Sequence, residues 1–254
     1  MCELYLHLAA APTDCHPGLT TFFAHADAPW DNPDGWGLAA LEGQRLESMR
    51  GVESATQSAQ AMHLANRPPR TASLIGHLRK STAGAVCLAN TQPFTRELAA
   101  RPLVFAHNGA LPGFADSSEG RRLRREARGT TDSELALLAL LRLARGRRLG
   151  RMLADMPGLV RRLSGWGPLN LIVSDGEDTV VVSDRRAHAS DGPDAPMRPP
   201  GLLMRRTATG GIVVSSEPLG KPADGLSRGT WMHLRGPVVV SHRRLALPET
   251  VDPI

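Results

Sequence analysis

The chain opens Met1-Cys2-Glu3-Leu4-Tyr5-Leu6-His7-Leu8, and its fold turns on how the second residue is read. Removal of the initiator methionine would leave Cys2 carrying a thiol and a free α-amine on the same residue. The amine's reference pKa of about 7.7–8.0 leaves much of it neutral near pH 7, and a free thiol titrates near ~8.5, so proton transfer between them is nearly thermoneutral. Such a residue is a nucleophile with a built-in base. The plain alternative is that Cys2 is merely the second codon. Glu3 to Leu8 reads as a short buried strand, which seats Cys2 at a strand start and anchors it as catalysis requires.

Composition sets the outer bounds. A chain of 254 residues is long enough for one large domain or two small ones, and no composition break marks a second, so one domain over residues 1–254 is expected. Cys2, Cys15 and Cys87 are odd in number and lack CxxC or Cys/His ligand spacing, which argues against a disulfide framework or structural zinc and for the reducing cytoplasm. No Walker motif, dinucleotide fingerprint or HExxH occurs, so neither cofactor nor metal is expected. There is no leader pattern and no apolar run of about 18 residues, so no membrane role is expected. The net charge is +5, but lysine occurs only at Lys80 and Lys221. The basic cluster Arg121, Arg122, Arg124, Arg125 and Arg128 has no interleaved aromatics to stack bases, so nucleic acid is not the expected partner.

Outward from the first strand, Ala11 to Gly18 reads as a turn, Leu19 to Ala26 as a helix, and Leu38 to Leu41 with Arg45 to Met49 as strands around Glu42-Gly43. Ala55 to Ala65 reads as a helix stopped by Pro68-Pro69. Ser73 to Leu78 and Leu103 to Ala106 read as core strands, Leu135 to Ala144 as an apolar helix, and Met152 to Leu163 as a helix interrupted near Pro157-Gly158. The remainder is strand: Leu169 to Ser174, Thr179 to Ser183, Leu202 to Arg206, Ile212 to Ser215 and Thr230 to Ser241. The proline-rich loop Ala187 to Gly201 is expected to be the least ordered segment.

Several local patterns carry chemistry. Gly35-Trp36-Gly37 suits either a close backbone approach or a plain turn. Arg79-Lys80 lies at a strand end before a glycine-containing loop, where side chains meet ligands. Asn108-Gly109 is a common turn dipeptide, yet no second strand follows at hairpin spacing. An Asn amide beside a glycine N–H also supplies two uncharged donors for a developing oxyanion. Thr131 and Glu134 fit a helix-capping box that leaves Asp132 free to complement the helix dipole or to bind a cation.

Met1-Cys2-Glu3-Leu4, Asp34-Gly35-Trp36-Gly37, His77-Leu78-Arg79-Lys80, Asn90-Thr91 with Pro93 to Leu98, Ala106-His107-Asn108-Gly109, Thr131-Asp132-Ser133-Glu134 and Ser174-Asp175-Gly176 occur in one order along the chain. In that order they resemble the class II glutamine amidotransferases, the N-terminal nucleophile family, and most closely its short stand-alone bacterial members. The resemblance implies an α+β fold, a four-layer αββα sandwich with Cys2 at the end of an inner strand. It implies Cys2 as nucleophile, and Asn108 through its side chain with Gly109 through its N–H as oxyanion hole. Arg79 would hold a substrate α-carboxylate and Asp132 its α-ammonium, with Thr82, Gly35 and Trp36 lining the substrate. One departure stands out: Gln92 replaces the histidine of the family's Asn-Thr-His-Pro-Phe.

The implied reaction is hydrolysis of a γ-glutamyl amide, glutamine first, releasing glutamate and ammonia. The alternatives are an amidohydrolase of a larger γ-glutamyl conjugate, as in the branch serving ergothioneine synthesis, and a non-catalytic subunit that keeps the fold. A separate ammonia-accepting synthase or a second copy of the chain is the expected macromolecular partner.

Overall fold

The computed structural model describes residues 1–15, 18–192 and 196–249. Its strands and α-helices follow in the order β1 (Glu3–Asp14), α1 (Gly18–Ala24), β2 (Trp36–Glu42), β3 (Arg45–Gly51), α2 (Ala59–Asn66), β4 (Arg70–Leu78), β5 (Phe94–Leu98), β6 (Arg101–Asn108), α3 (Ser118–Leu123), α4 (Asp132–Ala144), α5 (Leu149–Met152), α6 (Met156–Ser164), β7 (Asn170–Ser174), β8 (Thr179–Ser183), β9 (Leu202–Arg206), β10 (Ile212–Ser215), β11 (Asp224–Leu226), β12 (Thr230–Arg235) and β13 (Val238–Arg244).

Two antiparallel sheets result. One runs β11-β9-β10-β1-β4-β2-β3 and the other β13-β12-β8-β7-β6-β5. Alternation along β1 explains the layering. Leu4, Leu6 and Leu8 point into the apolar layer between the sheets, with Ala39, Ile75, Val104, Ala106, Ile172 and Val214. Tyr5 points the other way, into a layer with Leu19, Phe22 and Phe23 of α1 and Ala61 and Leu64 of α2. The outer face of the second sheet is covered by α3 to α6, with Leu135 to Leu140, Met156 and Leu163 in that layer. This is the expected αββα sandwich. Each fully buried leucine of β1 contributes about 1.5–3 kcal/mol, so the strand carrying Cys2 is among the most firmly held.

β1 lies at the centre of its sheet, between β10 and β4. It runs to Asp14, beyond the turn expected from Ala11. The reason is a bulge: Leu8 pairs with Ser73 and Thr13 with Thr71, so the extra residues, including the non-donating Pro12, loop out before pairing resumes. Residues 16 and 17 of that expected turn lie outside the described residues. The helix expected from Ala55 begins at Ala59, where the Ser58 side chain accepts from the Ala61 N–H. Pro157 stands in the first turn of α6 and starts that helix, where an interruption was expected.

Two strands have no counterpart in the expectations, β5 and β11. The loop expected to be least ordered is tied at both described flanks, by backbone pairing of Arg186 with Arg198 and by the Asp191–Arg198 ion pair. Residues 193–195 of it lie outside the described residues. Among the described residues no helix is long and apolar enough to cross a membrane.

Candidate active site

Glu3 pairs with Leu78 in the β1–β4 ladder, which sets Cys2 beside Arg79 and Lys80 at the end of β4. The Lys80 N–H donates to Cys2 Sγ at 3.4 Å, and Sγ lies 3.4 Å from the Lys80 carbonyl. Burial pushes the thiol above its ordinary range, opposed by the Lys80 N–H and the charge of Arg79. A thiol kept neutral in this way needs a base at the moment of attack. The Met1 amine is pushed the other way, below its ordinary value, by burial and by the positive charges of Arg186 and Lys80, against the raising effect of Cys2.

Asn108 ends β6 on the second sheet. Its Nδ2 donates to Ser216 Oγ at 3.1 Å, and the same hydroxyl oxygen accepts the Leu4 N–H at 3.0 Å. The Ser216 N–H in turn donates to the Leu4 carbonyl at 3.0 Å. One residue after β10 thus ties the strand behind Cys2 to the Asn108 amide. Asn108 Oδ1 is buried without a partner among the described residues. At Gly109 an added Cβ would stand 2.0 Å from the Pro168 carbonyl oxygen, so only glycine fits.

The residue before Asn108 is fixed from three sides. The His107 N–H donates to Gln92 Oε1 at 2.7 Å, and Gln92 Nε2 donates to the His107 carbonyl at 3.1 Å. Gln92 therefore acts as a one-residue extension of the ladder beside β6, and its role is structural. The His107 ring meets Ser133 Oγ through Nδ1 at 2.9 Å and the Pro168 carbonyl through Nε2 at 3.3 Å. A carbonyl only accepts, so Nε2 carries the proton and Nδ1 accepts from the Ser133 hydroxyl. Burial pushes His107 down, while the Asp132 charge opposes that shift.

Asp132 is half-buried at the start of α4. Its Oδ2 accepts the Leu111 N–H at 2.5 Å and its Oδ1 the Ser133 N–H at 2.8 Å, so it holds the loop after Gly109 against the helix. Thr131 caps α4 by accepting the Glu134 N–H at 3.3 Å. Glu134 does not close the box. It accepts the Arg128 and Gly129 N–H groups at 2.9 and 2.6 Å and pairs with Arg96.

Arg79 is buried, and its guanidinium donates to the Ala83, Gly84 and Ala85 carbonyls and to Ser81 Oγ. The loop after β4 is folded around it. Asp34 closes that loop from the other side, Oδ2 accepting the Ser81 N–H at 2.7 Å. The Gly35 carbonyl accepts the Arg79 N–H at 2.8 Å. Gly37 shows why that motif needs glycine: a Cβ there would lie 2.2 Å from the Gln92 carbonyl. Trp36 is fully buried in the helix-side layer, edge-on to Phe23 at 5.6 Å. It supports the strand and presents no ring to a ligand. Thr82 is exposed. The structure thus gathers Cys2, Arg79 and Lys80 at one strand end and Asn108, Gly109 and Asp132 at another, and links the two through Ser216.

Sequence reasoning assigned no role to Ser216 or Asp34. Asp34 sits in a quoted motif and could have been found there, whereas Ser216 is 212 residues from Leu4 and carries no local signal.

The class II glutamine amidotransferase family model matches residues 1–193. The chain belongs to the class II glutamine amidotransferases. YafJ of Escherichia coli (strain K12), named for the same activity, is 31% identical over 194 residues, covering 74% of this chain and 75% of YafJ. Among solved structures, the glutamine aminotransferase class-II domain protein of Silicibacter pomeroyi superposes with a TM-score of 0.60 at 20% identity, over 96% of this chain and all of that one. The glutamine phosphoribosylpyrophosphate amidotransferase of B. subtilis gives 0.65 at 19% identity over 97% of this chain. This chain spans 50% of that enzyme's length. At such identities the superpositions show the shared fold of the amidotransferases.

Proposed function

We propose that this amidotransferase chain hydrolyses a γ-glutamyl amide with Cys2 as its nucleophile, after removal of Met1. The observation that carries the reading is the hydrogen-bonded bridge from Leu4 through Ser216 to Asn108, which fixes a buried amide in register with the strand behind the thiol. The freed α-amine takes the thiol proton as sulfur bonds to the amide carbon. The carbonyl oxygen becomes an oxyanion facing Asn108 Nδ2, which has a second N–H to give, and the Gly109 N–H. The C–N bond then breaks, and the leaving amine takes the proton from the α-ammonium. Water attacks the resulting thioester and releases glutamate.

In this reading Arg79 takes the substrate α-carboxylate and Asp132 its α-ammonium, each exchanging part of its present backbone hydrogen bonding for ligand. Thr82 and the backbone at Gly35 and Trp36 border the bound amino acid. One catalytic domain accounts for the chain, a reading supported by β9 to β13, which complete both sheets beyond the family match. Water is the final acceptor in the free chain, and a docked synthase would receive ammonia.

Glutamate release, assayed on glutamine and simple γ-glutamyl amides with wild type and Cys2→Ala, tests the proposal. Turnover is expected in the first and at least a hundredfold loss in the second. Residual activity within about tenfold of wild type would remove Cys2 from the nucleophile's role.

A further inference from the structure

A cavity of about 370 Å³ lies beside the chain start, bordered by Met1, Glu3, Trp30, Lys80, Arg186 and Ala187. Arg186 is only 2% exposed. Its Nη2 pairs with Glu217 Oε1 at 3.1 Å and its Nε donates to the Ala187 carbonyl at 3.2 Å, but Nη1 is buried with no partner among the described residues. Among the described residues, the Ala187 N–H has only the Met1 thioether as acceptor, at 3.1 Å. A thioether is a weak acceptor. Removal of Met1 takes it away and adds the side chain's volume to the cavity.

What remains in the cavity wall, on two consecutive residues, is a buried guanidinium nitrogen and a backbone N–H, both lacking acceptors among the described residues. Two donors on consecutive residues of one cavity wall, one of them charged, suit the two oxygens of a carboxylate. The other cation in the wall, Lys80, is already paired with Asp31 at 2.8 Å. A dianionic phosphate would therefore find no unpaired cation, whereas a carboxylate needs only the donors left over. Trp30, stacked on His25 at 3.8 Å, gives the cavity a flat wall for the carbon atoms between the scissile nitrogen and that carboxylate.

We propose that the amine portion of the substrate carries a carboxylate, bound by Arg186 Nη1 and the Ala187 N–H in the place Met1 occupies. The preferred substrate is then a γ-glutamyl amino acid, and glutamine is a truncated one. This rests on the nucleophile reading above. Hydrolysis would release glutamate and a second amino acid, so the reaction supplying the substrate must form a γ-glutamyl bond to an α-amine.

Binding tests this without turnover. Cys2→Ala protein, released from a cleavable N-terminal fusion so that residue 2 comes first, is titrated with γ-glutamylglycine and with γ-glutamylglycinamide, which differ only in the carboxylate. The expected result is at least about tenfold tighter binding of the acid, collapsing to within about twofold in an added Arg186→Gln and partly kept in Arg186→Lys. Equal affinities in the Cys2→Ala protein overturn the proposal, and that comparison decides even if an Arg186 variant fails to fold. Glutamate release by the cysteine enzyme is scored separately: its absence strikes the nucleophile reading, while equal ligand affinities strike the subsite alone.

Discussion

Asn108 and Ser216 are joined by a hydrogen bond of 3.1 Å between Nδ2 and Oγ, and that oxygen also accepts the Leu4 N–H at 3.0 Å. The two sheets meet at this hydroxyl. Asn108 belongs to the second sheet and Leu4 to the central strand of the first, so Ser216 ties the Asn108 amide to the strand that follows Cys2.

Ser216→Ala leaves both donors buried without an acceptor. It should cost about 1–3 kcal/mol in urea unfolding. It should also lower kcat for glutamate release by about tenfold or more with KM changed only a few-fold, because the amide loses its direction toward the oxyanion and substrate binding does not depend on it. Ser216→Thr keeps the hydroxyl and should recover part of kcat. Loss of stability with unchanged kcat would show that Ser216 holds the fold and does not aim the amide.

Gly109→Ala places a methyl group 2.0 Å from the Pro168 carbonyl oxygen, a backbone atom that cannot swing aside. The Gly109 N–H must move with the strand end. Activity should fall about 10²–10³-fold, the range for loss of one oxyanion donor, and thermal unfolding should come at lower temperature. Near-normal kcat would mean that the Gly109 N–H does not face the reacting carbonyl.

Gln92→Ala should destabilise the protein by about 2 kcal/mol or more, since it strips partners from both the N–H and the carbonyl of buried His107. Gln92→Glu keeps an acceptor for the N–H but sets a carboxylate oxygen against the carbonyl, and should be no better at neutral pH. Chemical denaturation of the two variants checks this. If neither shifts the midpoint, the side-chain ladder contributes nothing.

Acid should weaken the fold through His77. This side chain is fully buried, both ring nitrogens lack partners among the described residues, and burial together with the charges of His107 and Arg79 pushes its pKa down from 6.5 to about 3. Between those values the unfolded chain binds the proton and the folded one does not. Stability is therefore full above pH 6.5 and falls as pH drops toward 3, by up to about 1.4 kcal/mol per pH unit for this one group. Urea midpoints at pH 7, 6 and 5 should show that slope, and His77→Leu should flatten it. An equal slope in the variant would assign the acid sensitivity elsewhere.

Much of this could be read from sequence where packing and local signals agree. β8, β9 and β10 occupy the residues expected of them, because each is a short strand bounded by turn formers. β5 was hidden because the hairpin joining it to β6 turns on Ala99 and Ala100, both in the left-handed region at φ 52° and 59°, with no Asn or Gly to announce it. β11 is three residues at a sheet edge, too short for alternation to register. At the site, the strand ends before Arg79 and at Asn108 were legible, since each closes an apolar run with polar or glycine residues. The bridge through Ser216 was not, because a serine that joins strands 212 residues apart looks like any other serine. Trp36, expected with Gly35 in the substrate lining, has its ring in the core, so any such contact would fall to its backbone.

The central claim, that Cys2 with its own freed amine is the nucleophile, is tested most directly by intact and peptide mass analysis after incubation with a diazoketone analogue of glutamine. The account predicts a chain lacking Met1 that carries one adduct, located on Cys2. A chain that retains Met1, or an adduct on Cys15 or Cys87, would contradict it.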